Sequence, residues 1–201
     1  ELNALVNLLN SRRYAELETR ARVVLERHPS AAQVWQFLGH ALLAQEKDAV
    51  SVWQKIVAFY PDDPDAHRNL GVAFVNNRQW NEAIASFRQA LAIKPDFAEA
   101  HHNMGNTLKT LGQHAPAIAP HGRALELNPG YVEVHNDLGI TLKLAGHMDK
   151  ALACYRRAIE LEPDYPEAHG NLATALTFLG ELEQAASSFR RTIELNPDLI
   201  P

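Results

Sequence analysis

Cys154 is the only cysteine among 201 residues, so no disulfide can form within the chain. A lone thiol fits a reducing compartment and favours a cytoplasmic over a secreted setting. Long apolar runs are also missing: no stretch approaches the 18 or so consecutive apolar residues that a membrane span needs. Basic residues are in the minority, 19 Lys and Arg against 24 Asp and Glu, for a net charge of −5. A nucleic-acid surface needs clustered cations to displace counterions from phosphates, so this balance argues against one. There is no HExxH, no CxxC, no glycine-rich phosphate loop and no strand–elbow nucleophile signature. No catalytic residue, metal ligand or cofactor is therefore assigned.

What the chain does have is a period. Pro29, Pro61, Pro95, Pro129, Pro163 and Pro197 are separated by 32, 34, 34, 34 and 34 residues. Gly39, Gly71, Gly105, Gly139 and Ala173 run in step with them, and Ala83, Ala117, Ala151 and Ala185 form a third series spaced by 34. Self-similarity at one fixed spacing marks a stacked repeat. Within a unit the apolar residues fall at helical spacing: Val134, Leu138, Leu142 and Ala145 on one stripe, then Met148, Ala151, Leu152, Tyr155, Ala158 and Ile159 on another. Gly112, Gly146 and Gly180 stand where the first helix should end in a left-handed residue. Pro64 and Pro166 suit the first turn of a helix. Each unit reads as two antiparallel helices, and because one hairpin cannot bury both stripes, neighbours must stack. Gly105 and Ala117 are expected where two helix backbones approach closely, with His101, Leu108 and Leu111 filling the remaining space.

These residues resemble the tetratricopeptide repeat family, whose pattern places an aromatic residue, Leu-Gly, then Ala, an aromatic, Ala and Pro at set positions. Trp35, Leu38, Gly39 and Leu42 match it in one unit, and Leu70, Gly71, Phe74, Ala83, Phe87, Ala90 and Pro95 in the next. The resemblance implies an all-α fold, a right-handed superhelical solenoid of about six helix pairs over 1–201. The repeats run at about 1–31, 32–63, 64–97, 98–131, 132–165 and 166–199. The first is truncated and atypical, as capping repeats are. The second is two residues short, with the deletion near Glu46-Lys47, in a turn to which no chemical role is given. The fourth carries Pro116, Pro120 and Gly122 in its second helix, with His121 in the aromatic slot; a bent or loosened helix is expected there. Because the chain starts at Glu1 and Ile200-Pro201 would open a seventh unit, the natural chain is expected to continue.

Histidines His67, His101, His135 and His169 also recur every 34 residues. Equivalent atoms on neighbouring helices lie about 8–10 Å apart, too far to share one ion with bonds of about 2 Å. They occupy the family's aromatic slot and read as packing residues. Arg123, Arg156, Arg157, Arg190 and Arg191 line the second helices as a solvated face, with Arg156–Glu160 and Arg190–Glu194 as i,i+4 pairs.

The register that points to function lies on the first helices. Asn69, Asn103, Asp137 and Asn171 are equivalent, and asparagine propagates a helix poorly. An amide offers a donor and an acceptor, matching a peptide backbone without reading its side chains. The phrases Ala66-His67-Arg68-Asn69-Leu70-Gly71 and Ala168-His169-Gly170-Asn171-Leu172-Ala173 look like the repeat arm of O-linked N-acetylglucosamine transferases. That resemblance implies an asparagine ladder at Asn69, Asn103 and Asn171 that holds an extended polypeptide. Asp137 departs from it, since a carboxylate only accepts and prefers an N–H or a cation. Asn106, Lys109, Lys143, Arg68, His102 and Asn136 extend the candidate groove, with Val72, Ile140, Leu144 and Phe178 as apolar spots. The Lys and Asn pattern of chaperone-tail clamps is incomplete, so that ligand is not expected. The leading reading is a non-catalytic scaffold for a protein or extended peptide. The alternatives are the substrate-recruiting arm of a larger enzyme such as a glycosyltransferase, and a scaffold that self-assembles into a homo-oligomer through its uncapped end.

Overall fold

The computed structural model describes residues 1–197, which contain twelve α-helices. Leu199 and Ile200-Pro201, the end of the sixth repeat and the expected opening of a seventh, lie outside them. The chain divides into two compact units. In the first, Glu1–Asp96, the helices are α1 (Leu2–Asn10), α2 (Tyr14–Arg27), α3 (Ala32–Ala44), α4 (Val50–Phe59), α5 (Pro64–Asn76) and α6 (Trp80–Ile93). In the second, which begins at Phe97, they are α7 (Ala98–Thr110), α8 (His114–Leu127), α9 (Val132–Leu144), α10 (Met148–Leu161), α11 (Pro166–Phe178) and α12 (Leu182–Leu195). In each unit a helix packs on its partner and on the next pair, and α7 touches α9 as α9 touches α11.

The turn inside each pair follows from one backbone conformation. Gly112, Gly146 and Gly180 have φ of 74°, 84° and 80°. At the first of these, Gly112 N donates to Lys109 O at 3.0 Å and Gln113 N to Leu108 O at 2.9 Å, closing the helix with a Schellman motif. The first unit makes the same turn without glycine: Arg12, Glu46 and Arg78 sit at φ of 55°, 54° and 58°. Pro64 and Pro166 occupy the first helical turn, as their fixed φ favours.

The glycine register has a different reason from the one expected. A Cβ on Gly71 would lie 2.4 Å from Phe87, and one on Gly139 would lie 2.5 Å from Tyr155. The close neighbour is an aromatic ring inserted from the second helix, not a second backbone. Trp53, Phe87, His121 and Tyr155 fill this slot and are all fully buried or nearly so. Ala173 replaces glycine in the last pair, and its counterpart ring, Phe189, is half-buried.

The short second repeat loses its two residues after the turn, and α4 has 10 residues where α6 has 14. Glu46 and Arg78 keep the left-handed position 32 apart, whereas buried Ala49 and Ala83 are 34 apart. The turn is braced on both sides. Lys47 Nζ and Gln45 Nε2 donate to Glu18 Oε2 at 2.7 and 3.1 Å, and Asn77 Nδ2 donates to Asp48 Oδ1 at 2.8 Å. The Lys47 bond holds the Glu18 carboxyl below the usual range, against the effect of burial and aided by Arg22 and Gln45.

Pro120 does not end its helix, and one further expectation changes, in the surface pairs. Helix α8 runs unbroken through Pro120 at 14 residues, the length of α6, α10 and α12. The surface pairs are i,i+3: Arg123–Glu126, Arg157–Glu160 and Arg191–Glu194, while Arg190 Nε donates to Ala186 O. A neighbouring arginine thus takes each glutamate, because side chains lean toward the helix N-terminus and three- and four-residue spacings compete.

The repeating histidines clasp each pair to the loop before it. Trp35 Nε1 donates to Pro29 O at 2.9 Å, and His67, His135 and His169 place Nε2 at 2.8, 3.0 and 2.9 Å from the carbonyls of Pro61, Pro129 and Pro163. A carbonyl only accepts, so Nε2 carries the proton in each ring. Among the described residues no group of acidic, histidine or cysteine side chains could hold a metal ion.

Candidate functional site

The densest polar constellation lies in the second unit, on the first helices. His102, Asn106 and Lys109 follow one another at i, i+4 and i+7 along α7, which puts them on a single face. All three reach Asp137 on α9. Lys109 Nζ donates to Asp137 Oδ1 at 2.7 Å, while Asn106 Nδ2 and His102 Nε2 donate to Oδ2 at 2.9 and 2.7 Å. Burial alone would raise the carboxyl pKa, but the bonds from His102 and Lys109 outweigh it and hold Asp137 far below the usual range. The His102 ring meets Tyr131 edge-on at 5.3 Å and lies 5.8 Å from His121. His121 itself is fully buried, and neither ring nitrogen has a hydrogen-bond partner among the described residues. Burial holds its pKa down to about 3.

One repeat further on, the same register makes a different link. Asn171 Nδ2 on α11 donates to Asn136 Oδ1 on α9 at 2.9 Å, and Asn136 is buried at 6 % exposure. Asp137 and Asn171 thus each bond one first helix to the preceding one. Asn103, half-buried on α7, offers its backbone carbonyl to Thr107 Oγ1 at 2.8 Å, and its amide has no partner among the described residues. Lys143, also half-buried, stands where Lys109 does in the preceding repeat and has no side-chain partner among the described residues.

In the first unit Asn69 sits on α5 at 5 % exposure, and Arg68 pairs with Asp65 at 3.6 Å. The apolar positions divide in two. Val72 and Ile140 are half-buried, whereas Leu144 and Phe178 are 50 % and 78 % exposed. The cation preferred by Asp137 comes from the chain itself. That carboxylate hub, which joins His102, Asn106 and Lys109 across two helices, could not be read from spacing alone; the signal was the single Asp in a column of Asn.

A profile described as TPR repeat matches 79–112 and 142–177, and one described as tetratricopeptide repeat matches 98–131 and 166–199. No curated protein matches the chain in sequence. Solved structures share its fold. MamA residues 41 to the end from Desulfovibrio magneticus RS-1 is 18 % identical, with 86 % of this chain and 98 % of that one covered and a TM-score of 0.76. Another MamA crystal structure is 23 % identical, with 74 % and 87 % covered and a TM-score of 0.70. YrrB, described as a TPR protein with an unusual peptide-binding site, is 22 % identical, with 89 % and 93 % covered and a TM-score of 0.68. At these identities the likeness speaks for fold. The two profiles together span more than half of the residues, and both units are built of packed helix pairs, so the chain belongs to the tetratricopeptide repeat family.

Proposed function

We propose that this chain is a non-catalytic scaffold that holds an extended polypeptide against its first helices. One observation carries the reading. In the second unit, polar side chains at matching registers of α7, α9 and α11 form a half-buried surface that is neither core nor fully solvated. The bonds between helices fix these side chains in advance, which lowers the entropy that a ligand must offset on binding. Asn103 supplies a free amide to a peptide backbone, whereas Asn69, the equivalent residue of the first unit, is buried at 5 % exposure. Asp137 and Asn171 serve chiefly to align neighbouring helices. The peptide-binding site named for YrrB is in keeping with this use of the fold. The narrower reading, a substrate-recruiting arm of a glycosyltransferase, uses the same register and rests on the asparagine phrases alone.

Each amide bond contributes about 0.5–1.5 kcal/mol net, so affinity should be about micromolar. Selection from a displayed library of unstructured peptides, followed by titration of an enriched sequence, tests the proposal. Asn103→Ala, with helicity checked by circular dichroism, should weaken binding. Unchanged affinity in the folded variant would sink the backbone-ladder reading.

A further inference from the structure

The same lysine register is used in two ways in successive repeats of the second unit. Lys109 is neutralised within the chain, its ammonium 2.7 Å from Asp137 Oδ1. Lys143 lies 34 residues on, in the last turn of α9, and the residue corresponding to Asp137 is Asn171. An amide cannot neutralise an ammonium, and the Asn171 Nδ2 is already given to Asn136. Lys143 is therefore a half-buried cation with no counter-charge at the place where its predecessor has one.

Its surroundings change in parallel. The position after Lys109 is Thr110, and the position after Lys143 is Leu144, 50 % exposed. The equivalent residue on α11, a helix that packs against α9, is Phe178, 78 % exposed. A cation without a partner among the described residues thus precedes one exposed apolar side chain on α9, and the matching position of α11 carries a second. Contiguous apolar side chains left in water mark interaction surfaces more often than single scattered ones do.

We propose that Lys143, Leu144 and Phe178 form a subsite for an acidic residue followed or preceded by a bulky apolar one in an extended peptide. The carboxylate replaces for Lys143 what Asp137 provides for Lys109, and the apolar side chain covers Leu144 and Phe178. Charge complementarity selects this occupant. A basic peptide would face an uncompensated ammonium, and a neutral one would leave it without a partner. The inference rests on the scaffold reading and adds the ligand chemistry to it.

The test is selection of an unbiased displayed peptide library on the full chain, with sequencing of the enriched pool. Enrichment of Asp or Glu next to Leu, Ile, Phe or Trp is expected. Lys143→Glu should shift the preference from acidic to basic residues and weaken an acidic–apolar peptide about tenfold. Asn171→Asp should abolish the acidic preference by giving Lys143 an internal partner while leaving the lysine in place, and Phe178→Ala should remove only the apolar preference. Enriched peptides without an acidic preference, or one that survives Lys143→Glu, overturn the subsite and leave the scaffold reading standing. A pool with no enriched peptide overturns both.

Discussion

A Cβ built on Gly105 would lie 2.7 Å from Cε1 of the His121 ring. The same relation joins Gly39 to Trp53 at 2.8 Å and Gly71 to Phe87 at 2.4 Å. The glycine exists for the ring. Gly71→Ala should therefore lower stability by about 1–3 kcal/mol through overpacking. Gly122→Ala, at a helical site where an added Cβ meets nothing, should raise it by about 0.5–1 kcal/mol. Urea unfolding of both variants decides the point; equal stability of Gly71→Ala and the parent would refute it.

His121 makes the fold sensitive to acid. Burial depresses its pKa to about 3 in the folded chain, below the unfolded value of about 6.5. The unfolded chain therefore takes up the proton first. Stability attributable to this residue is intact above about pH 6.5 and falls by about 1.4 kcal/mol per pH unit as pH drops toward 3. His121→Phe, which restores the residue type of Phe87 and leaves no buried nitrogen unpaired, should be more stable at neutral pH and lose this slope. Denaturant midpoints measured from pH 7.5 to 4.5, about the range in which the unfolded imidazole titrates, would show parallel curves for the two proteins if the idea is wrong.

The Asp137 hub predicts coupling across α7 and α9. Lys109 and Asp137 are 18 % and 20 % exposed at the side chain, so removing the carboxylate strands a lysine and a histidine with little water to replace it. Asp137→Ala should cost about 1–3 kcal/mol, and a double-mutant cycle with Lys109→Met should give a coupling of at least about 0.5 kcal/mol. Because its folded pKa is depressed, the Asp137 contribution is present above about pH 3.9 and fades below it. Additive single and double variants would show that the pair carries no interaction energy.

Arg78 holds a left-handed conformation that glycine adopts at the same turn in the second unit. Relieving the clash between Cβ and carbonyl, Arg78→Gly should stabilise the first unit by up to about 1 kcal/mol, and Gly146→Ala should destabilise the second by a similar amount. Thermal melting of each variant measures both signs.

The period of 34 residues determined the helix pairs. Helical spacing of Val134, Leu138 and Leu142, and the punctuation by Gly146 and Pro163, act over a few residues and need no partner to be recognised. The histidine period was legible for the same reason, although packing was read from it and not the bond from His67 to the carbonyl of Pro61, six residues back. Tertiary packing alone decided the rest. Gly105 could face a backbone or a ring until α8 placed His121 beneath it. Arg157 rather than Arg156 took Glu160, since rotamers choose between partners three and four residues away on one helix face. Above all, an aspartate standing alone in a column of asparagines announces an exception, but not its partner. His102, Asn106 and Lys109 meet Asp137 only because α7 and α9, separated in sequence by all of α8, are packed side by side.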